Sequence, residues 1–196
     1  MRILVSGSIK RVCEIASRWP HRLGFLLTPR NPNSVASVVA AGLPWVVDNG
    51  AFSVDHGGFD PESFRRLLVR AKGQPRLLWV VCPDVVGNAC ATLEWFDRWQ
   101  PELRGQGFPV ALAAQDGLEN LVVPWGRFDS LFIGGTIQWK LSMVARDLTT
   151  EAKQRGKSVH MGRVNSMKRL RLAWFWGCDS VDGSSYSKFF HRAITH

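Results

Sequence analysis

The hydrophobic positions of the chain fall into short unbroken runs, each followed by a turn and then by a stretch with helical periodicity. An unbroken apolar run is typical of a strand buried on both faces, and apolar spacing of three and four residues is typical of an amphipathic helix. The runs predicted as strands are Arg2–Ser6, Leu23–Leu27, Trp45–Asp48, Leu77–Cys82, Pro109–Ala113, Ser130–Ile133, Ser158–Met161 and Cys178–Asp182. The stretches predicted as helices are Lys10–Trp19, Ser34–Ala41, Pro61–Lys72, Ala89–Trp99, Leu118–Pro124, Leu141–Gln154 and Ser166–Trp176.

Eight strands that alternate with helix-length segments are typical of a closed parallel β/α barrel. Spread over 196 residues, eight units take about 25 residues each, which is compact for a TIM-like (β/α)8 barrel. We therefore predict a single α/β barrel domain over residues 1–196, with some crossover helices of only one or two turns. An open doubly wound sheet, with several strands miscounted, is the alternative.

Composition narrows the class of protein. Hydrophobic residues make up 45% of the chain, which suits a buried core and excludes disorder as the dominant state. No apolar run approaches the roughly 20 residues that cross a bilayer, and the start of the chain lacks the long apolar region of a signal peptide. We therefore expect a cytoplasmic protein without a membrane partner.

The net charge of +9 is spread unevenly along the chain. Residues 1–47 contain six Lys or Arg against Glu14 alone, and residues 153–171 contain seven with no acidic residue. Together with nine Trp and eleven Phe, two basic segments suit a polyanionic partner whose bases can stack on aromatic rings. A basic surface around an aromatic core explains the same composition.

Metal and nucleotide cofactor sites are not expected. Cys13, Cys82, Cys90 and Cys178 form no CxxC pair and have no His at ligand spacing, so buried thiols are the simplest interpretation. Neither a GxGxxG nor a GxxxxGK[ST] segment occurs, so the sequence predicts no nucleotide cofactor.

Polar and glycine residues directly follow the predicted strands. In a parallel barrel the C-terminal strand ends form the mouth of the active site, so Asp48, Asp84 and Asp182 should converge there. Carboxylates in one cleft push their pKa values apart, so one can stay ionised as a nucleophile while another carries a proton. A single Asp at such a position can equally be a helix cap or turn residue. Gly134 and Gly135 allow a backbone to approach a flat ligand, or simply form a tight turn.

Five strand-end segments, in order, resemble motifs of the tRNA-guanine transglycosylase family, barrel enzymes that exchange guanine for a 7-deazaguanine base. The resemblance covers roughly residues 45–185. The family's motifs are Asp-Ser-Gly-Gly-(Phe/Tyr), Val-Gln-Gly-Gly, Gly-Gly-Leu, His-x-Met-Gly and Gly-Val-Asp-Met-Phe-Asp. The matching segments are Asp48-Asn49-Gly50-Ala51-Phe52, Ala114-Gln115-Asp116-Gly117, Ile133-Gly134-Gly135, His160-Met161-Gly162 and Gly177-Cys178-Asp179-Ser180-Val181-Asp182.

The resemblance implies a role for each matching position. Asp182 matches the nucleophile and Asp48 the acid/base residue, while Asp84 matches the carboxylate that binds the N–H edge of the base. Gln115 and the backbone around Gly134 and Gly135 match groups that bind the carbonyl side of the base. The remaining predicted substrate contacts are Asn49, beside Asp48, and two apolar plates that would hold the base between them, Phe52 and Met161.

Departures from the family's pattern change the expected substrate. The family's zinc module, Cys-x-Cys-x-x-Cys followed by His, is absent from this sequence. A short, basic, zinc-free version more closely resembles phage-type enzymes that install 7-deazaguanines in DNA, acting in the host cytoplasm, with accessory modification proteins as further possible partners. We therefore expect DNA rather than tRNA as the polymer, with a free 7-deazaguanine such as a preQ-type base as co-substrate. The residues expected at phosphates are Arg163, Lys168, Arg169 and Arg171.

Two other functional classes stay open on the sequence alone. One is a barrel enzyme that acts on a small phosphorylated metabolite, with Arg163 and the loops at Gly162 and Gly183 binding the phosphate. The other is a noncatalytic barrel that binds nucleic acid. The three carboxylates favour the transglycosylase interpretation over a noncatalytic module.

Overall fold

The computed structural model describes residues 1–31, 33–51 and 58–189. Its strands form a closed barrel in sequence order, every neighbouring pair is parallel, and the last strand pairs with the first. The predicted barrel is confirmed, and the open doubly wound sheet is excluded. The strands are β1 (Arg2–Val5), β2 (Leu23–Leu27), β3 (Trp45–Val47), β4 (Leu77–Val81), β5 (Val110–Ala114), β6 (Ser130–Ile133), β7 (Ser158–Met161) and β8 (Ser180–Asp182).

Helices follow most of the strands and cover the outside of the barrel. The helix that follows β3 begins as the sequence predicts, with Asp60 accepting hydrogen bonds from the backbone N–H groups of Glu62 and Ser63, and Pro61 in the first turn. The helices are α1 (Ile9–Arg18), α2 (Val35–Ala40), α3 (Pro61–Ala71), α4 (Ala89–Gly105), α5 (Ile137–Lys140), α6 (Met143–Gln154), α7 (Met167–Phe175) and α8 (Ser184–Phe189).

Three predicted helices differ from the observed ones. Residues 118–124 contain only a short 3₁₀ helix, Leu118–Asn120, because Gly117 turns the chain at a φ of 92° and Pro124 lies beyond. The predicted helix Leu141–Gln154 starts at Met143, where Ser142 caps it, and a separate short helix precedes it. Helix α4 continues through Pro101 to Gly105 because Leu103 extends its buried face.

Successive side chains of each strand point to opposite faces, so the core is divided into an inner layer and an outer layer. Most side chains of β1 to β5 that point into the barrel are apolar, among them Leu4, Leu26, Val46 and Val81. Their outward-pointing neighbours pack beneath the helices, as Phe25 and Trp45 do. The strands are therefore buried on both sides, which explains the unbroken apolar runs of the sequence.

The described residues include no helix that is both long enough and apolar enough to cross a membrane. All four thiols are unpaired. Cys82 and Cys178 are buried, as the sequence predicts, Cys13 is partly buried, and Cys90 is exposed on α4.

Candidate functional site

The three predicted carboxylates share one cavity at the C-terminal end of the barrel. Asp48 directly follows β3, Asp84 follows β4, and Asp182 is the last residue of β8. The cavity has a volume of about 60 Å³, and the described residues that line it are Asp48, Asn49, Val81, Asp84, Val86, Ala113, Gln115, Phe132, Gly134, Arg163 and Asp182. The predicted convergence of the carboxylates is confirmed.

Asp182 is held by donors on both of its oxygens. The backbone N–H of Arg163 donates to Oδ1 at 2.6 Å, and Nε2 of His160 lies 3.3 Å from Oδ2. Burial opposes ionisation, but the hydrogen bond and charge of His160 and the Arg163 N–H, aided by the positive charge of Lys140, keep the pKa of Asp182 below its usual range. Asp182 is therefore ionised at neutral pH, as a nucleophilic carboxylate must be.

Asp48 has the opposite electrostatic character. Its Oδ1 accepts a 2.7 Å hydrogen bond from the N–H of Gly50, whose φ of 77° closes a tight turn after β3. Burial raises the pKa of Asp48 to about 7, the Gly50 hydrogen bond opposes that rise, and the charges of Asp182 and Asp84 add to it. A carboxyl group with this pKa can both donate and accept a proton at neutral pH.

Asp84 belongs to a side-chain network that fixes its orientation. Nδ2 of Asn49 donates to Oδ1 of Asp84 at 2.7 Å and to the carbonyl of Cys82 at 2.8 Å. Nε2 of Gln115 donates to the other carboxylate oxygen. Burial raises the pKa of Asp84 while these two amides lower it. Because both N–H bonds of the Asn49 amide are used, Asn49 positions Asp84 and has no donor left for a substrate.

The glycines after β6 are explained by packing. A Cβ on Gly134 would lie 2.6 Å from Nε2 of Gln115, and a Cβ on Gly135, whose φ is 67°, would lie 2.5 Å from the ring of Trp139. The Gly134 N–H donates to the carbonyl of Ala114, and the Gly135 N–H donates to Oε1 of Gln115. Both N–H groups are thus donated within the protein, and binding of a base by the backbone around Gly134 and Gly135 stays a prediction.

The predicted apolar plate at Met161 is also wrong. Met161 is fully buried in the layer between the barrel and the helices, because its β7 neighbour His160 takes the inward position. Phe132 on β6 lines the cavity instead and packs against His160, with ring centroids 4.7 Å apart. Phe52, the other predicted plate, lies outside the described residues.

The four predicted phosphate-binding residues occupy two different places. The Arg163 guanidinium lines the cavity and donates to the carbonyl of Gly135. Arg169 turns toward the same region, with Nη1 3.4 Å from the carbonyl of Arg163. Lys168 and Arg171 are exposed on α7 and line a surface groove with Leu172, Trp174 and Phe175. The basic residues therefore do not form one continuous face.

Two polar residues near the site were missed by the sequence analysis. His160 is 1% exposed inside the barrel, with Nδ1 2.9 Å from Oγ of Ser180 and Nε2 facing Asp182. Since ionised Asp182 can only accept, Nε2 of His160 carries the proton. Lys140 is also 1% exposed, and its Nζ donates to the carbonyl of Gly162 at 2.6 Å. The alternation of side chains along β7 could have placed His160 on the inward face, whereas nothing in the sequence marks Lys140 as buried.

Within the described parts of the chain, no group of three or more His, Cys, Asp or Glu side chains is placed to hold a metal ion. The carboxylates of the cavity are instead held by backbone N–H groups, amides and an imidazole.

Comparisons with known proteins agree on the fold and do not supply a family. No protein-family model matches the chain, and no curated protein is significantly similar to it. Among solved structures, the chain is similar to a mutant tryptophan synthase alpha-subunit from Pyrococcus furiosus, with a TM-score of 0.57 and 14% sequence identity over 97% of this chain and 89% of that one. A HpcH/HpaI aldolase/citrate lyase family protein from Burkholderia cenocepacia gives a TM-score of 0.49 and 16% identity over 98% of this chain and 90% of that one. The first of these likenesses supports the TIM-barrel fold assigned above.

Proposed function

We propose that this protein is an enzyme, a guanine transglycosylase that exchanges guanine in a nucleic acid for a free 7-deazaguanine base. The observation that carries the proposal is the pairing of Asp182 and Asp48 in one cavity with opposite shifts of pKa. Glycosyl transfer with retention needs such a pair, one ionised carboxylate to attack the sugar and one protonated carboxyl to serve the leaving group.

The reaction proceeds in two displacements at C1′ of the nucleoside. An oxygen of Asp182 attacks C1′, the bond from C1′ to guanine breaks, and a glycosyl ester of Asp182 forms. Protonated Asp48 gives its proton to the departing guanine. The incoming base then loses its N–H proton to ionised Asp48, bonds to C1′ and releases the Asp182 carboxylate, so the two half-reactions restore both groups.

Base recognition falls to Asp84 and Gln115. Each oxygen of Asp84 already accepts one hydrogen bond, and a carboxylate oxygen can accept a second from the N–H edge of a base. Gln115 uses one N–H on Asp84 and keeps the other for a carbonyl, while its Oε1 is held by the N–H groups of Gly87 and Gly135. These two side chains therefore present acceptors and a donor side by side, which suits guanine and its 7-deaza relatives.

The cavity must widen before it can hold a base. Its volume of about 60 Å³ is far below the roughly 300 Å³ at which ligand pockets begin. The Arg163 side chain lines the cavity and reaches across to the Gly135 carbonyl, so we expect its displacement to widen the cavity. Released from Gly135, its guanidinium can bind a phosphate beside the extruded nucleotide.

DNA is the expected polymer, with tRNA as the second arm of the test. The experiment incubates the protein with labelled guanine or a labelled 7-deazaguanine and either DNA or tRNA, and measures label in the polymer. We expect incorporation with the wild type and at least a thousandfold less with Asp182→Asn. Asp179→Asn is the matched control, because Asp179 lies just before β8 at the opposite end of the barrel, bound to Lys153.

The outcomes separate the competing functions. Label in either polymer that depends on Asp182 supports the proposal, and the labelled polymer identifies the substrate. Full exchange by Asp182→Asn would refute the assignment of the nucleophile. Binding of nucleic acid without exchange would indicate a noncatalytic barrel, and no binding at all would favour an enzyme acting on a small metabolite.

A further inference from the structure

Lys140 is a buried cation close to the proposed nucleophile. It is the last residue of α5, the one-turn helix after β6, and its side chain is 1% exposed. Its Nζ donates to the carbonyl of Gly162, directly after β7, at 2.6 Å. Burying an ammonium group is costly unless it is paired, so the hydrogen bond from Lys140 to this carbonyl needs an explanation.

The carbonyl that Lys140 binds belongs to the peptide group that binds Asp182. The C=O of Gly162 and the N–H of Arg163 are parts of one trans peptide, so they point in opposite directions. The N–H donates to Oδ1 of Asp182 at 2.6 Å. Lys140 and Asp182 therefore lie at the two ends of a single peptide unit.

This arrangement strengthens the hydrogen bond to Asp182. A cation on a carbonyl oxygen draws electron density from the peptide nitrogen, so the N–H becomes a better donor to an anion. Arg163 has a φ of 57°, a left-handed backbone conformation that a residue other than glycine adopts only when its surroundings fix it, and the Lys140 contact anchors the peptide that precedes it. Without Lys140, the peptide loses both its polarisation and one of its anchors.

We propose that Lys140 is a positioning residue that stabilises the ionised carboxylate of Asp182 and fixes its orientation by acting through the Gly162–Arg163 peptide. The part of this inference that concerns catalysis rests on the proposed function. The electrostatic coupling between the two side chains does not, and it can be measured without any substrate.

Charges around Lys140 make it sensitive to pH near neutrality. Burial lowers the pKa of Lys140 to about 7. The positive charges of Arg163 and Arg169 contribute to this lowering, whereas the negative charges of Asp182 and Asp116 oppose it. As the pH rises through 7, Lys140 loses its proton and the peptide N–H becomes a weaker donor to Asp182. Exchange should therefore decline on the alkaline side. Asp48, whose pKa is also about 7, loses the proton that it gives to guanine over the same range, so the decline persists in a variant that lacks the Lys140 amine.

The test measures the titration of Asp182 by NMR of the ¹³C-labelled aspartate carboxyl groups. The Asp182 signal is the one lost in Asp182→Asn. Lys140→Met removes the charge and the hydrogen bond, and Lys140→Gln keeps a neutral donor without the charge. Lys157→Met is the matched control, because Nζ of Lys157 also donates to a backbone carbonyl, that of Phe128 at 2.7 Å, at the opposite end of the barrel.

We expect the pKa of Asp182 to rise by about one unit in both Lys140 variants, the lower end of the range for loss of a nearby opposite charge. Lys157→Met should leave that pKa unchanged. If the protein unfolds at a pH above the titration midpoint of Asp182, the midpoint cannot be measured. The variants are then compared by the ionised fraction of Asp182 at the lowest pH at which all of them are folded. If Lys140→Met does not fold, Lys140→Gln alone decides the outcome.

The kinetic readout distinguishes positioning from a structural role. The kcat for base exchange should fall about tenfold in Lys140→Gln with little change in KM. An unchanged Asp182 titration in Lys140→Gln would overturn the proposal, because a neutral donor would then be sufficient. A shifted titration in a protein without exchange activity would retain the coupling and reject the proposed function instead.

Discussion

Replacing Asp48 by asparagine should stabilise the protein, and the gain should grow with pH. Burial raises the pKa of Asp48 from its usual value of 3.8 to about 7 in the folded state, with the Gly50 N–H opposing the rise and the charges of Asp182 and Asp84 contributing to it. Between these two values the unfolded chain has lost the Asp48 proton and the folded protein has kept it. The free energy of unfolding therefore falls as the pH rises through this window.

The magnitude follows from the separation of the two pKa values. A shift from 3.8 to about 7 is roughly 3 units, or about 4 kcal/mol of lost stability once both states are ionised. About 3 kcal/mol of that loss falls between pH 5 and pH 8. The Asp48→Asn side chain cannot ionise, and it keeps an amide oxygen for the Gly50 N–H. Its stability relative to the wild type should therefore increase by about 3 kcal/mol over this interval.

The assay is urea unfolding of both proteins at several pH values from 4 to 8. Subtracting the wild-type curve cancels contributions common to both proteins, including most of that from Asp84. Asp60→Asn is a control of opposite sign: hydrogen bonds from Ser63 and Glu62 at the start of α3 lower the pKa of Asp60, so this variant should lose relative stability as the pH rises through 4. A difference between Asp48→Asn and the wild type that does not change with pH would refute the assignment of Asp48 as a buried, proton-carrying carboxyl group.

Two further predictions test the packing at β6 and the path of a nucleic acid. Gly135→Ala should destabilise the protein by roughly 2–5 kcal/mol, because a left-handed φ and a clash with Trp139 add, whereas Gly177→Ala, with a φ of 81° and open space around it, should cost only about 1–2 kcal/mol in urea unfolding. Equal losses would show that the crowding at Gly135 is relieved without cost. Replacing Lys168 and Arg171 by glutamine should reduce the slope of log affinity against log salt by about 0.7–0.9 for each true phosphate contact, and an unchanged slope would place the binding track elsewhere.

The fold could be predicted because each strand of a parallel barrel is buried on both faces. The resulting apolar runs, such as Leu77–Val81 and Val110–Ala114, stand out without any tertiary information. Helix ends were less predictable because local signals compete with burial. Pro101 suggests an end to α4, yet the helix continues because Leu103 has a place in the core.

The part of the candidate site that follows from barrel geometry could be predicted from the sequence. Residues that follow parallel strands must meet at one end, which is enough to bring Asp48, Asp84 and Asp182 together. Which face a side chain takes within a strand depends on register, and a shift of one residue exchanges the cavity for the outer layer. That is why Met161 was misplaced while its neighbour His160 was overlooked. Hydrogen bonds such as those that occupy the Gly134 and Gly135 N–H groups depend on distant partners and leave no local pattern.

The barrel interior is asymmetric, and the asymmetry bears on where chemistry takes place. Strands β2 to β5 fill the interior with apolar side chains, whereas the inward positions of β7 and β8 include His160 and Ser180, directly beneath Asp182. Buried polar groups add little to stability even when they are paired, and an apolar filling would pack at least as well. Their value therefore lies in what they fix, since the pairing of His160 with Ser180 leaves Nε2–H aimed at Asp182. With Lys140 acting from the opposite side through the Gly162–Arg163 peptide, both oxygens of this one carboxylate are held by donors that are themselves fixed by a second hydrogen bond.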